Sequence, residues 1–226
     1  MPWLLLILLV LAVVFGPSLW AKTVLAWHAG DRSDYPGTGG ELARHLLDRA
    51  GLEEIAVERS DRGDHYDPEA KALRLTQDNL EGRSLTAVTV AAHEFGHALQ
   101  DRDGYAPLKT RTRLVKSIGG LQRLGSIILF ATFGLGLAAA SPGLAAVGAA
   151  AGIATMASAV VIHLITLPVE FDASFKRALP ILDRWGYLPQ SDIPAARRIL
   201  RACALTYVAS SLASLLNLWR WIRFLR

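Results

Sequence analysis

The reading of this chain turns on Ser84-Leu-Thr-Ala-Val-Thr-Val-Ala-Ala-His93-Glu94-Phe95-Gly96-His97-Ala-Leu-Gln100. Leu85, Val88, Ala91, Ala92, Phe95 and Leu99 recur at helical spacing behind Ser84, a good N-cap. The stretch therefore predicts a half-buried helix running to Gly104. His93 and His97 are four residues apart, which places their imidazoles one above the other on the same helix face. Two such rings can bind one zinc ion while the intervening Glu94 projects beside the open coordination position. A catalytic zinc site needs a third protein ligand, and no histidine follows within the next dozen residues.

Around this helix, residues 21–117 read as a small α+β unit. Glu41 to Ala50 has helical spacing through Leu42, Leu46 and Leu47 and stops at Gly51. Ile55 to Arg59 and Ala72 to Leu75 alternate as short strands, and Asp61 to Pro68 between them looks like a turn. That turn carries His65 and Tyr66, candidates to stabilise an oxyanion. The strand Ala72 to Leu75 is a candidate to pair with an extended substrate.

Outside that unit the chain is apolar. Trp3 to Phe15 is unbroken apolar sequence within an uncharged run from Pro2 to Trp20, close to the ~20 residues that cross a hydrocarbon core. No basic residue precedes it and no small-residue cleavage site follows, so it reads as an uncleaved anchor. Two further stretches, about Leu124 to Ala140 and Gly143 to Leu167, are separated by Ser141-Pro142 and predict a helical hairpin. Gly148-Ala-Ala-Ala-Gly152 suits close helix packing within it. His163, an ionisable group near one end of the hairpin, is expected to make a hydrogen bond inside the bundle. Ala202 to Trp219 is uncharged, with Thr206, Ser210, Ser211, Ser214 and Asn217 on one face, and either spans or lies in the interface.

Basic residues flank the hairpin on both sides: Lys109, Arg111, Arg113, Lys116 and Arg123 before it, Lys176, Arg177, Arg184, Arg197, Arg198 and Arg201 after it. Both ends should face the cytoplasm. The hairpin then returns Leu167-Pro-Val-Glu170-Phe-Asp172 to the height of the histidine helix. Of the downstream acids Asp101, Asp103, Glu170, Asp172, Asp183 and Asp192, this selects Glu170 as third ligand. Asp172 reads either as an acceptor for a ligand ring N–H or as a first-turn acid of a helix beginning near Pro168.

With these residues in view, the chain resembles the zinc-dependent neutral metallopeptidase family of bacterial membrane proteins, the YugP-like, gluzincin-type HExxH peptidases. The resemblance rests on Tyr35-Pro-Gly-Thr-Gly, Glu41-Leu-Ala-Arg-His-Leu-Leu, Gly63-Asp-His-Tyr-Asp-Pro68, Arg83-Ser-Leu, Ala91-Ala-His-Glu-Phe-Gly-His-Ala-Leu-Gln100 and Leu167-Pro-Val-Glu-Phe-Asp-Ala-Ser174. It covers essentially the whole chain and implies a membrane-bound zinc peptidase of the bacterial inner membrane. More distant membrane gluzincins often carry an Asp four residues after the glutamate ligand, where this chain has Ser174.

The expected fold is a mainly α membrane protein with transmembrane helices and a small cytoplasmic α+β zincin-like catalytic unit. Its parts are an N-terminal anchor (1–21), a catalytic region (22–117), a transmembrane hairpin (118–167), a cytoplasmic helical segment with the third ligand (168–201) and a transmembrane or interfacial helix (202–226). The expected activity is peptide hydrolysis at the cytoplasmic face, with zinc held by His93, His97 and Glu170 and with Glu94 as general base. Alternatives are a zinc-stabilised scaffold without activity and an intramembrane protease. Against the latter, Glu81, Arg83, Asp101 and Arg102 leave too short an uncharged stretch around the histidine helix.

Composition excludes other classes. In 226 residues, 52% apolar and 19% charged, there is no case for a long disordered protein. Residues 21–117 carry 14 basic and 16 acidic residues, net −2, and residues 118–226 carry ten and four, net +6. The excess basicity thus flanks apolar stretches, and nucleic acid is not an expected partner. The expected partners are a peptide or protein substrate and the lipid bilayer, with an oligomer or a membrane-protein partner left open. Cys203 stands alone, so no internal disulfide forms.

Overall fold

The structure, a computed structural model, describes residues 2–139 and 141–206. It is mainly helical with one small sheet. In chain order the elements are α1 (Pro2–Trp27), α2 (Gly39–Arg49), β1 (Ala56–Arg59), β2 (His65–Asp67), β3 (Ala72–Leu75), α3 (Gln77–Leu80), α4 (Leu85–Arg102), α5 (Ala106–Ala139) and α6 (Pro142–Phe171). A π-helical segment (Asp172–Ala178) and α7 (Leu179–Arg184) follow, then α8 over residues 193–206. The described residues divide into two compact units, one of 2–16, 109–139 and 141–166, the other of 17–108 and 167–206.

The second unit is built around α4. Ser84 caps it as the sequence predicts, its Oγ accepting from Ala87 N at 3.1 Å. The expectation of a half-buried helix does not hold, because Leu85 to Ala98 are all buried. The polar residues that suggested a solvated face, His93, Glu94, His97 and Gln100, instead face other elements: α4 packs against α2, the sheet, the π-helical segment and α7. On one side, α2 opens with a full capping box, Thr38 N donating to Glu41 Oε2 at 2.7 Å and Glu41 N to Thr38 Oγ1 at 3.2 Å. Its buried Ala43, Leu46 and Leu47 join Val88, Ala91, Ala92 and Phe95 in the core.

The sheet order is β1-β3-β2, with β1 parallel and β2 antiparallel to β3. This corrects two expectations. Residues Asp61 to Pro68 are not simply a turn, since His65, Tyr66 and Asp67 form β2. Its aspartates misled because they do serve turns: Asp64 accepts from Thr76 N and Asn79 Nδ2, and Asp67 from Glu69 N and Ala70 N. Second, Ala72 to Leu75 cannot take an added strand, because β3 is central and both its edges are occupied.

In the other unit, residues 109–139 of α5 and 142–166 of α6 are helical, and Pro142 is the first residue of α6 rather than part of a turn. A Cβ on Gly148 would fall on Thr132 Oγ1, whereas one on Gly152 would meet Leu129 Cδ1 at 3.6 Å, an ordinary contact. Close approach therefore depends on the first glycine of Gly148-Ala-Ala-Ala-Gly152, not on both. The hydrogen bond expected for His163 is absent at its buried Nδ1 among the described residues. One helical stretch among the described residues, Ala146–Arg184, is long and apolar enough to cross a membrane by length and composition. The polar face of the last apolar stretch, from Ser210 onward, lies outside the described residues.

Candidate metal centre

His93 and His97 project from one face of α4, their ring centroids 4.8 Å apart. The third group arrives because α6 does not stop at Pro168. The proline sits inside the helix, which runs on to Phe171 and passes into the π-helical segment. No free helix N-terminus lies near Pro168: Asp172 opens the π-helical segment within a helix continuous from α6.

This segment crosses α4 at Gly96, where a Cβ would stand only 2.7 Å from the Ala173 carbonyl oxygen. The absence of a side chain there lets the two backbones close. Glu170, 1% exposed, then reaches both rings, with Oε2 3.2 Å from His93 Nε2 and 3.4 Å from His97 Nε2.

The three side chains offer ligand atoms that all lie within 4.8 Å of one another. Tetrahedral zinc with ligands at about 2.0–2.2 Å places ligand atoms roughly 3.3–3.6 Å apart, and the Glu170 distances fall in or beside that range. Two imidazoles and a carboxylate are a donor set that zinc accepts, leaving one position open. The residues present fit the ion.

Glu94, the next residue after His93, is buried. Burial pushes its carboxyl up to about 7, partly offset by the charge of His93 and by the Tyr66 backbone N–H directed at it. The Tyr66 hydroxyl faces elsewhere, donating to Asp101 Oδ2 at 2.8 Å. Its own burial and that carboxylate raise the phenol well above its ordinary value, so it stays a donor. His65 Nδ1 pairs with Gly63 O at 3.0 Å.

Asp172 does not hold a ring directly. Its Oδ1 accepts from Gln100 Nε2 at 2.9 Å and from Arg177 Nε at 2.8 Å. The ring partners are two residues that the sequence reading did not assign to the rings. Gln100 Oε1 lies 2.9 Å from His97 Nδ1, and Ser174 Oγ lies 3.1 Å from His93 Nδ1. Gln100 was findable: three residues after His97 and seven after His93, it shares their helix face. Ser174 was not, because its approach depends on the π-helical turn, which the local sequence does not announce.

Comparison with known proteins agrees with this geometry. The chain is 35% identical over 219 residues, 92% of its own length and 91% of the other's, to a protein of Bacillus subtilis (strain 168) named "Putative membrane protease YugP". No solved structure matches it. Residues 3–226 match the family described as "Putative neutral zinc metallopeptidase", and the chain belongs to that family.

Proposed function

We propose that this chain is a membrane-bound zinc endopeptidase that hydrolyses peptide bonds at the cytoplasmic face of the bacterial inner membrane, with Glu94 as general base. The observation that carries the reading is the approach of Glu170 Oε2 to His93 Nε2 and His97 Nε2, at 3.2 and 3.4 Å, with the Glu94 carboxyl on the adjoining residue.

His93, His97 and Glu170 would hold a zinc ion, which would supply a Lewis acid to acidify water and polarise a carbonyl. Glu94 takes the proton released by the attacking water and later hands it to the leaving amine. Burial raises the affinity of its carboxyl for that proton, and the charge of a bound zinc would act in the opposite sense. An extended peptide adds its backbone along the free edge of β2, the strand packed beside α4.

Residues 1–21 anchor the chain and 118–167 cross the bilayer twice, which leaves 22–117 and 168–201 together on the side marked by lysine and arginine. The apolar length of Ala146–Arg184 supports this reading.

The test uses full-length protein in detergent. Elemental analysis should find one zinc per chain, and a quenched protein substrate should be cleaved. Glu94→Gln should retain the zinc and lose on the order of 10²–10⁴-fold in turnover. Normal turnover by zinc-replete Glu94→Gln would falsify the assigned base, and an absence of zinc from the wild type would remove the reading altogether.

A further inference from the structure

We infer that Gln100 and Ser174 are positioning residues that decide which nitrogen of each histidine faces the metal. The inference rests on the zinc reading above and deepens it. It follows from counting hydrogens around one amide. Asp172 is paired with Arg177 and, as a carboxylate, can only accept. Val169 O, a backbone carbonyl, can also only accept. The polar atom of Gln100 that faces both, at 2.9 and 2.8 Å, must therefore be its NH₂ group, whose two hydrogens are then both spent. This turns Oε1 toward His97 Nδ1. Since Oε1 has no hydrogen to give, the ring must supply one, and Nδ1 carries N–H. A neutral imidazole has one such hydrogen, so the lone pair stands on Nε2, the nitrogen facing Glu170.

The same logic runs more simply at His93. With His93 Nε2 already facing Glu170, the ring N–H falls on Nδ1, where the Ser174 Oγ at 3.1 Å accepts it and keeps its own hydrogen for another acceptor such as the Leu200 carbonyl, at the outer limit of reach. Again Nε2 turns inward. Arg177 continues the His97 chain outward, donating from Nε to Asp172 and from a terminal nitrogen to Asp103. The orientation of a metal-facing ring is thus tied through an amide and a carboxylate to a guanidinium. Both ring partners are neutral, an amide and a hydroxyl. They orient the rings without adding negative charge to the site.

The experiment measures zinc affinity of the full-length chain by chelator competition at one pH, with the protein in detergent. Gln100→Met, similar in length but without polar hydrogens, should bind zinc about 10–100-fold more weakly, the loss typical of an outer hydrogen-bond partner. Gln100→Glu keeps an oxygen for His97 but sets its other oxygen against Asp172 and the Val169 carbonyl, so it should not restore wild-type affinity. Ser174→Ala should weaken binding similarly at the other ring. Nitrogen-15 spectra of cadmium-loaded protein supply the second readout: metal coupling should appear at Nε2 of both histidines. The slowly exchanging His97 Nδ1–H signal should vanish in Gln100→Met and persist in Ser174→Ala. Coupling at Nδ1 of either ring overturns the inference, as does wild-type zinc affinity of Gln100→Met. A wild type that binds no zinc is a different result, which removes the metal reading and this inference with it.

Discussion

Gly96 and Ala173 are where the two halves of the candidate site meet, a glycine of α4 pressed against the backbone carbonyl of the π-helical segment. One hydrogen in place of a methyl group holds the histidines within reach of Glu170.

Replacing that hydrogen is the sharpest test of the arrangement. Glycine inside a helix costs roughly 0.5–1 kcal/mol relative to alanine, so propensity alone favours Gly96→Ala. The added Cβ would meet a backbone oxygen that cannot rotate away, and overpacking of this kind costs about 1–3 kcal/mol. The clash should win. Gly96→Ala is expected to lower zinc affinity at least tenfold by chelator competition, while circular dichroism shows the helical content unchanged.

Glu170→Ala removes a ligand instead of displacing it. Its zinc affinity should fall by more than the roughly 10–100-fold typical of outer partners. Because an ion bound only by the folded state stabilises it, stripping zinc with a chelator should lower the melting temperature of the wild type and leave that of Glu170→Ala unmoved. Wild-type zinc retention by Glu170→Ala would send the search for a third ligand elsewhere.

The helical pair α5 and α6 makes a graded prediction. Gly148→Leu must displace Thr132, whereas Gly152→Leu starts from an ordinary contact with Leu129. Thermal unfolding in detergent should therefore show the larger loss for Gly148→Leu, about 1–3 kcal/mol. Equal losses would mean that the two helices do not pack through Gly148.

Membrane orientation is open to direct labelling. With Cys203→Ser as background, single cysteines at Ser60 and Ser191 should resist a membrane-impermeant thiol reagent added to intact cells and react once the membrane is opened. Reaction of either from outside reverses the proposed topology.

What the sequence made legible was chemistry with a short period. Histidines four apart and a Ser84 cap each follow from helix geometry alone, and each appears where expected. The lost information was of two kinds. The three residues of β2 are too few to show alternation, and Asp64 and Asp67 gave a turn signal that was locally correct. The π-helical segment shifts Asp172 and Ser174 away from the positions that a 3.6-residue period assigns them. Asp172 was accordingly read as a ring acceptor, the place that Gln100 takes beside His97, and lies one step further out. Burial of α4 was missed because its polar residues look like a solvated stripe until the elements that cover them are known.

The β2 edge has a consequence for how tightly any peptide could be held. At about 3.3 Å per residue the strand is only about 10 Å long, and a residue's N–H and C=O point to the same edge. Three residues leave few backbone groups on the edge away from β3, so a peptide laid along β2 finds few main-chain partners. Backbone recognition this sparse gives weak intrinsic affinity and little dependence on sequence. A protease of that kind works best on neighbours confined to the same two-dimensional sheet of lipid, where effective concentration does the work that contacts do elsewhere. Its choice of substrate would then be governed by which chains linger unfolded beside it.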